Sequence, residues 1–187
     1  MEITVDHSKR DAALIARICM ADQKALEMLY RHYYNQLGRF ITRVTVREDI
    51  IDEVINDVMF VVWEKASTYD NNCKPSTWIF GIAYNKARQA VRDSTRIHEE
   101  SLNELEEDNS LFEEFNDNLK QLEMTDWIMP ALAELSADQR AVIELTYFQG
   151  LPYNEIAVLM NCPENTVKTR MHHARKKLAT ILTETSN

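Results

Sequence analysis

Residues 153–178, YNEIAVLMNCPENTVKTRMHHARKKL, concentrate the side chains best suited to gripping a polyanion. Lys168, His172 and Arg175 recur at spacings of four and three, so a helix aligns them on one face, with Thr169, Arg170, His173 and Lys176 close by. Glu164, Asn165 and Thr166 fill the first turn of that helix. Short polar side chains at a helix start can read base edges in the DNA major groove, while bases further along hold phosphates. The other face carries Val167, Met171, Ala174 and Leu178, and the stretch before it carries Ile156, Ala157 and Met160. Asn161-Cys162-Pro163 separates the two as a turn, with Pro expected at the first helical position. Two short helices with inward stripes and a tight turn make a helix-turn-helix. A solvated basic face on an ordinary helical hairpin would explain the charges, but not the turn and both stripes together.

A second cluster offers different chemistry. Between Tyr69 and Arg92, the aromatics Tyr69, Trp78, Phe80 and Tyr84 interleave with Lys74, Lys86, Arg88 and Arg92. Aromatic rings stack on unpaired bases and cations follow the backbone, which suits single-stranded nucleic acid. Trp78 and Phe80 fit a helical core equally well. A third feature is a stripe of Glu53, Asn56, Asp57, Phe60 and Glu64 at helical spacing, either a plain solvated face or a dock for a basic partner helix.

Nothing comparable points to catalysis. The sequence holds no P-loop, no nucleophile elbow and no recognisable pair of catalytic carboxylates. The three cysteines Cys19, Cys73 and Cys162 are far apart and form no C-x-x-C pair, so they suggest neither a disulfide framework nor a zinc site. His172 and His173 are adjacent and diverge on a helix, which makes a poor metal site. No cofactor, ligand pocket or enzymatic activity is expected. A stand-alone helix-turn-helix regulator with a helical sensor domain is the alternative to the reading developed below.

The elements that must position these clusters are helices. Only 3 Gly and 4 Pro occur in 187 residues, and 45% of residues are hydrophobic. A short helix is expected near Asp11 to Met20. Asp22 then precedes a long stripe of Leu26, Leu29, Tyr30, Tyr33, Leu37, Phe40, Ile41 and Val44. Thr45-Val46-Arg47-Glu48 fits a capping box opening the next helix, whose inward residues are Ile51, Ile55, Val58 and Val62 and which fades at Ser67 to Asp70. Asp70 to Pro75 reads as a loop. A third helix follows on a spine of Ile79, Ala83, Lys86 or Ala87, and Ala90, closing the bundle near residue 95. In the second half, Ser136-Ala137-Asp138-Gln139 is another capping box, opening a helix with Val142, Ile143, Leu145 and Tyr147. Gln149-Gly150 stops it. Tyr153 to Met160 is a short helix, and the last helix runs to about Ile181.

Charge is partitioned among these elements. The net charge is −9, yet residues 99–123 alone hold ten acids against Lys120. Residues 72–98 carry five bases against Asp93, and 163–177 carry five against Glu164. Local rather than total charge decides where phosphates bind. The expected organisation is therefore all-α, with small helical domains at 1–95 and 124–187 and a flexible acidic linker at 96–123, a stretch in which Leu102, Leu105, Leu111, Phe112 and Phe115 still hint at some order. About 25 linker residues reach roughly 80–90 Å when extended. The amino terminus lacks the apolar run of a signal peptide, and the longest apolar run, Val58 to Trp63, is too short to span a bilayer. The expected location is the cytoplasm.

With these residues in view, the chain resembles the extracytoplasmic-function (ECF) subgroup of the sigma-70 family of RNA polymerase sigma factors. ALAELSADQRAVIELTYFQGLPYNEIAVLMNCPENTVKTRMHHARKKL is similar to that family's fourth conserved region, and DIIDEVINDVMFVVWEKASTYDNNCKPSTWIFGIAYNKARQAVR to its second. The third region is missing between them, as in the minimal subgroup. The resemblance implies a factor that binds core polymerase and directs promoter-specific initiation. Asp52, Glu53, Asn56, Asp57 and Phe60 would meet the clamp helices of the β′ subunit. The loop Asn71, Asn72, Cys73 and Lys74 would capture a base flipped from the −10 element, with Trp78, Tyr84, Arg88 and Arg92 holding DNA beside it. Glu164, Asn165, Thr166, Lys168, Thr169, Arg170, His172, His173, Arg175 and Lys176 would read or hold the −35 element, and the rest of that domain would touch the β flap. The acidic linker would imitate a polyanion in the polymerase's channels. An anti-sigma factor is the remaining implied partner. The sequence departs from relatives at His172 and His173, where an aromatic or an arginine is common. A neutral histidine attracts phosphate less than arginine, so −35 affinity is expected to be weaker or pH-sensitive. Cys162 replaces the commoner serine cap. The loop NNCKPS is individual to this chain, so no −10 base preference transfers to it.

Overall fold

The computed structural model describes residues 7–101 and 128–185. Every regular element among them is helical. In chain order these are α1 (His7–Ile18), α2 (Gln23–Thr45), α3 (Ile51–Lys65), a 3-10 turn (Ala66–Thr68), α4 (Pro75–Ser101), α5 (Ile128–Ala133), α6 (Ala137–Ile143), a π turn (Glu144–Phe148), α7 (Tyr153–Leu159) and α8 (Glu164–Thr185). The expected linker lies outside the described residues, apart from its first few positions, which form the end of α4.

The first unit packs α1, α3 and α4 around α2. The apolar stripe of α2 becomes its centre. Leu29, Tyr33, Leu37, Phe40, Ile41 and Val44 are buried, while Leu26 and Tyr30 sit at the rim. Asp22 starts α2 as expected, accepting from the Lys24 and Ala25 amides at 3.0 and 3.2 Å. From α4, Ile79, Phe80, Ala83 and Ala87 fill the opposite wall. Ala87 thus takes the spine position, and Lys86 turns out to pair with Asp57 at 2.9 Å. Phe80 stands edge-on to Phe40 and Tyr33, with centroids 5.2 and 6.4 Å away. Buried Asp11 of α1 accepts the Tyr33 hydroxyl at 2.8 Å, which ties α1 to α2.

One capping expectation fails. Thr45 does not open α3; it closes α2. Its hydroxyl donates to the Ile41 carbonyl at 2.8 Å and accepts the Arg47 amide at 3.2 Å. Val46 follows in the left-handed region at φ 57°, its amide on the Thr42 carbonyl. The hydroxyl is consumed by the helix behind it, and Thr45 itself is buried with the stripe. Helix α3 starts at Ile51 without a side-chain cap, and Asp52 and Glu53 in its first turn offset the positive end of the helix dipole.

In the second unit α6 and α7 pack on α8. The capping box at Ser136 and Gln139 forms in both directions, at 3.3 and 3.0 Å. The inward stripe then meets a wider turn. The Gln149 amide reaches back five residues to the Glu144 carbonyl at 3.1 Å, and the Leu151 amide six residues to Leu145 at 2.9 Å. Gly150, at φ 65°, supplies the left-handed position between them. The extra residue in the π turn leaves Tyr147 57% exposed while Leu145 stays buried. Asn161 makes the helix-turn-helix corner in the left-handed region at φ 49°. Pro163 caps α8 rather than occupying its first position, its carbonyl accepting the Thr166 amide at 2.8 Å. Helix α8 also runs four residues beyond the expected end at Ile181, and α4 six beyond residue 95.

Substituting Phe40→Ala should cost about 3–5 kcal/mol, since its ring is fully buried and packed on Phe80. Urea denaturation of the full chain measures this directly.

Candidate nucleic-acid interface

The helix-turn-helix is built as its stripes require. Ile156, Ala157 and Met160 of the α7 segment meet Val167, Met171 and Ala174 of α8 in the interior, with Leu178 partly buried beyond them. This packing turns the other face of α8 to solvent. Glu164, Asn165, Lys168, Thr169, His172, His173, Arg175 and Lys176 are exposed, and Thr166 and Arg170 are half-buried. Lys168 is held by Glu164 one turn back, at 2.7 Å. The Thr169 hydroxyl donates to the Asn165 carbonyl at 2.9 Å and needs to rotate before it can face a base. Arg175 bonds the Tyr147 hydroxyl, with its guanidinium 5.5 Å from the ring centroid.

The second cluster sits around the start of α4. Asp70 shapes the loop by accepting both the amide of Asn72 at 3.0 Å and its side chain at 2.6 Å, while Asn71 takes φ 63°. Asn71, Asn72 and Lys74 are exposed. The Tyr69 hydroxyl donates to the Cys73 carbonyl at 2.7 Å, and its ring packs on Trp78 with centroids 5.4 Å apart. Burial, then Asp70 and Glu155, push the Cys73 thiol up, which keeps it protonated. Trp78 is half-buried, with one side on Tyr69 and part of its surface open. Arg88 and Arg92 are exposed. Tyr84 is not available for stacking. Its side chain is buried, and its hydroxyl donates to Asp138 of α6 at 2.7 Å. Burial first, then that carboxylate, raise the Tyr84 hydroxyl far above its ordinary range, so it remains a donor.

The acidic stripe of α3 is exposed along its length, Phe60 at 60%. The fold extends it with two tyrosines that sequence reasoning did not assign to it. Tyr30 donates to Asn56 at 3.1 Å and Tyr34 to Asp52 at 2.5 Å, and the two rings stack 5.7 Å apart. Their four-residue spacing on α2 was the available signal.

Four further groups join the two units and were not singled out from the sequence. Arg43 of α2 pairs with Glu144 of the π turn at 2.9 Å, with only 12% and 2% of the two side chains exposed, and its guanidinium lies 3.8 Å from the Phe148 ring centroid. Burial pushes the Glu144 carboxyl up, and Arg43 pulls it back toward the charged form. Arg140 donates to the Val44 carbonyl at the end of α2 at 2.7 Å and to the Leu135 carbonyl at 2.7 Å. Asp138 completes the set, binding Arg88 at 3.5 Å, Arg170 at 2.5 Å and Tyr84. An acid and an arginine inside the apolar run RAVIELTYF were a legible hint of buried pairing. Asp138 gave no such hint, because an acid in a first turn is explained by the helix dipole alone.

Comparison with known proteins decides the family. Residues 29–97 match Sigma-70 region 2, and residues 125–178 match Sigma-70, region 4. The chain belongs to the sigma-70 family. It is an ECF member, similar over 176 residues to the ECF RNA polymerase sigma-E factors of Haemophilus influenzae and Escherichia coli K12, each 27% identical, with 90% of this chain and 93% and 92% of those proteins covered. The fold is shared with CnrH in complex with the cytosolic domain of CnrY, at a TM-score of 0.67, 23% identity, and coverage of 94% of this chain and 98% of that one. It is also shared with RpoE bound to the anti-sigma factor NepR from Bartonella quintana, at 0.68, 24%, 86% and 98%. The sigma factor binds RNA polymerase and promoter DNA and directs transcription initiation; a stand-alone regulator is not favoured. The family is not a class of enzymes. No described helix is long and apolar enough to cross a membrane.

In this sigma factor Arg43→Ala should destabilise the packing between units by about 3 kcal/mol or more, because it strands the buried Glu144 carboxylate. Glu144→Gln should cost less, as a neutral amide tolerates burial better. Hydrogen exchange of the α6 and π-turn amides reads both.

Proposed function

We propose that the sigma factor divides promoter reading between its two basic faces. The unit at 1–95 binds core polymerase and melts the −10 element, the unit at 124–187 reads the −35 element, and the acidic segment 96–123 tethers them. The exposed face of α8, Glu164 through Lys176, enters the major groove at −35. The loop Asn71 to Lys74 receives an unpaired −10 base beside Trp78, and Arg88 and Arg92 hold the backbone. Tyr84 joins them once α6 moves off it. Asp52, Glu53, Asn56, Asp57 and Phe60 dock the β′ clamp helices, and the surface of the second unit meets the β flap. The observation that carries this reading is the order of the two matched regions, each presenting its own exposed basic surface. The protein acts in the cytoplasm, catalyses no reaction of its own and needs no cofactor. Two relatives of the same fold were solved with bound partners, one named as an anti-sigma factor, which supports an anti-sigma partner here.

The direct test adds the purified chain to sigma-free core polymerase on a genomic promoter library. Promoter-directed transcripts are expected; none from any template would refute the reading. Replacing Arg88 and Arg92 together by Ala should abolish permanganate reactivity of the melted bubble while sparing association with core. Reversing Glu53 and Asp57 to Lys should eliminate co-elution with core polymerase. Lys176→Ala should weaken −35 binding evenly across sequences and reduce the salt slope by about 1.

A further inference from the structure

Two adjacent histidines stand in the middle of the basic face of α8. His172 and His173 are both exposed, with rings edge-on and centroids 5.6 Å apart. Val167, Met171 and Ala174 are buried on the other side of the helix, so packing fixes the direction in which the pair faces. Lysine and arginine side chains are charged throughout the physiological range, whereas an imidazole gains its charge between about pH 5 and 8. Neighbouring residues on a helix point about 100° apart. The major groove that admits a helix is walled by a phosphate backbone on each side. Two diverging rings in the groove can therefore each meet a phosphate.

The groups around each ring set what it can pair with. For His172, α8 places Lys168 one turn back and Arg175 and Lys176 one turn on. Lys168 is bonded to Glu164 at 2.7 Å, and Arg175 to the Tyr147 hydroxyl. For His173, the same spacings give Arg170, Lys176 and Lys177. His173 also lines a cavity of about 370 Å³ with Thr169 and Arg170 of α8 and with Ser136, Asp138 and Gln139 at the start of α6. Each acid in these surroundings already has a cation of its own. Glu164 holds Lys168, Glu134 holds Lys177 at 3.8 Å, and Asp138 holds Arg170 at 2.5 Å and Arg88 at 3.5 Å while accepting from Tyr84. A DNA phosphate is then the new anion that the two imidazoles would acquire on binding.

We propose that His172 and His173 make −35 binding proton-linked: each imidazole takes up a proton as it meets a DNA phosphate, so promoter affinity rises as pH falls. The sign follows from reciprocity. A phosphate favours the charged ring, so the bound state holds more protons than the unbound one. Protons must then favour the bound state by the same factor. A charged ring also displaces a counter-ion from the DNA, which a neutral ring does not, so the salt dependence steepens along with the affinity. Arginine at these two positions would grip phosphate at every pH. Histidine makes occupancy of the promoter respond to acidification around the protein. This inference deepens the assignment of the α8 face to the −35 element and rests on it.

The test uses the full-length chain assembled with core polymerase and a fluorescein-labelled promoter fragment recovered from the genomic library. Anisotropy gives the apparent affinity at about pH 6 and about pH 8, each over a series of salt concentrations. Two double variants are compared with the unaltered chain: His172→Arg with His173→Arg, and His172→Gln with His173→Gln. Any pH response of the polymerase itself is common to all three. Against that background the unaltered holoenzyme should bind about fivefold tighter at the lower pH, the lower end of the coupling between two bound ligands. Its plot of log K against log salt should steepen by between about 1 and 2, one step for each phosphate gained. The Arg pair should bind tightly and the Gln pair weakly at both pH values, neither with the extra steepening. Proton linkage is refuted if the unaltered chain shows the same pH ratio as the Gln pair. The Arg and Gln pairs separate this outcome from failure of the −35 assignment. If the Arg pair binds tighter than the Gln pair while the unaltered chain shows no pH response of its own, only the linkage falls. If the Arg and Gln pairs bind alike at both pH values, the α8 face does not meet the DNA, and the −35 assignment falls together with the linkage.

Discussion

Cationic surfaces made for phosphate repel one another when no phosphate is present, and this chain answers that constraint with its own acids. Lys168 leans on Glu164, Lys86 on Asp57, and Arg88 and Arg170 on Asp138. The pairs differ in what they hold. Those along one helix or within one unit are surface contacts worth little to stability. Asp138 and the Arg43–Glu144 pair cross between units and are half or wholly withdrawn from water. Burial makes the Arg43–Glu144 pair the unforgiving one, because removal of one partner leaves a charge with neither water nor a counter-ion.

Arg140 shows the same logic with backbone in place of carboxylates. Its guanidinium spans the carbonyl ends of α2 and α5, where the helix dipoles are negative and the last carbonyls lack partners. A single side chain thus satisfies groups from both units. The π turn that follows α6 is part of the device. It shifts the register so that Glu144 points at Arg43, Phe148 lies against the same guanidinium, and Tyr147 swings out to bond Arg175.

The resulting molecule keeps the α3 stripe open to solvent while Arg88, Arg170 and Tyr84 are engaged with Asp138. A chain of net charge −9 also has little long-range attraction for free DNA.

Much of this was legible in the residues. The stripes of α2, α3, α4 and the helix-turn-helix follow from spacing, since a 3.6-residue period leaves few ways to bury that many apolar side chains. The exposed faces of α8 and α3 followed as their complements. Local caps were legible where the side chain has one competitor, as at Asp22 and Ser136, and misleading where it has two: the Thr45 hydroxyl could serve the helix behind or the helix ahead, and only packing chose. The surroundings of Tyr84 were not legible, because they are set by a segment 54 positions away. What the sequence determined by itself was the set of helices, their inward faces and the two basic surfaces, because periodicity and charge are local properties. What only the tertiary structure decided was that Asp138 lies between those surfaces and Glu144 against Arg43, because partners 50 to 101 positions apart leave no mark in spacing and meet only when the units pack.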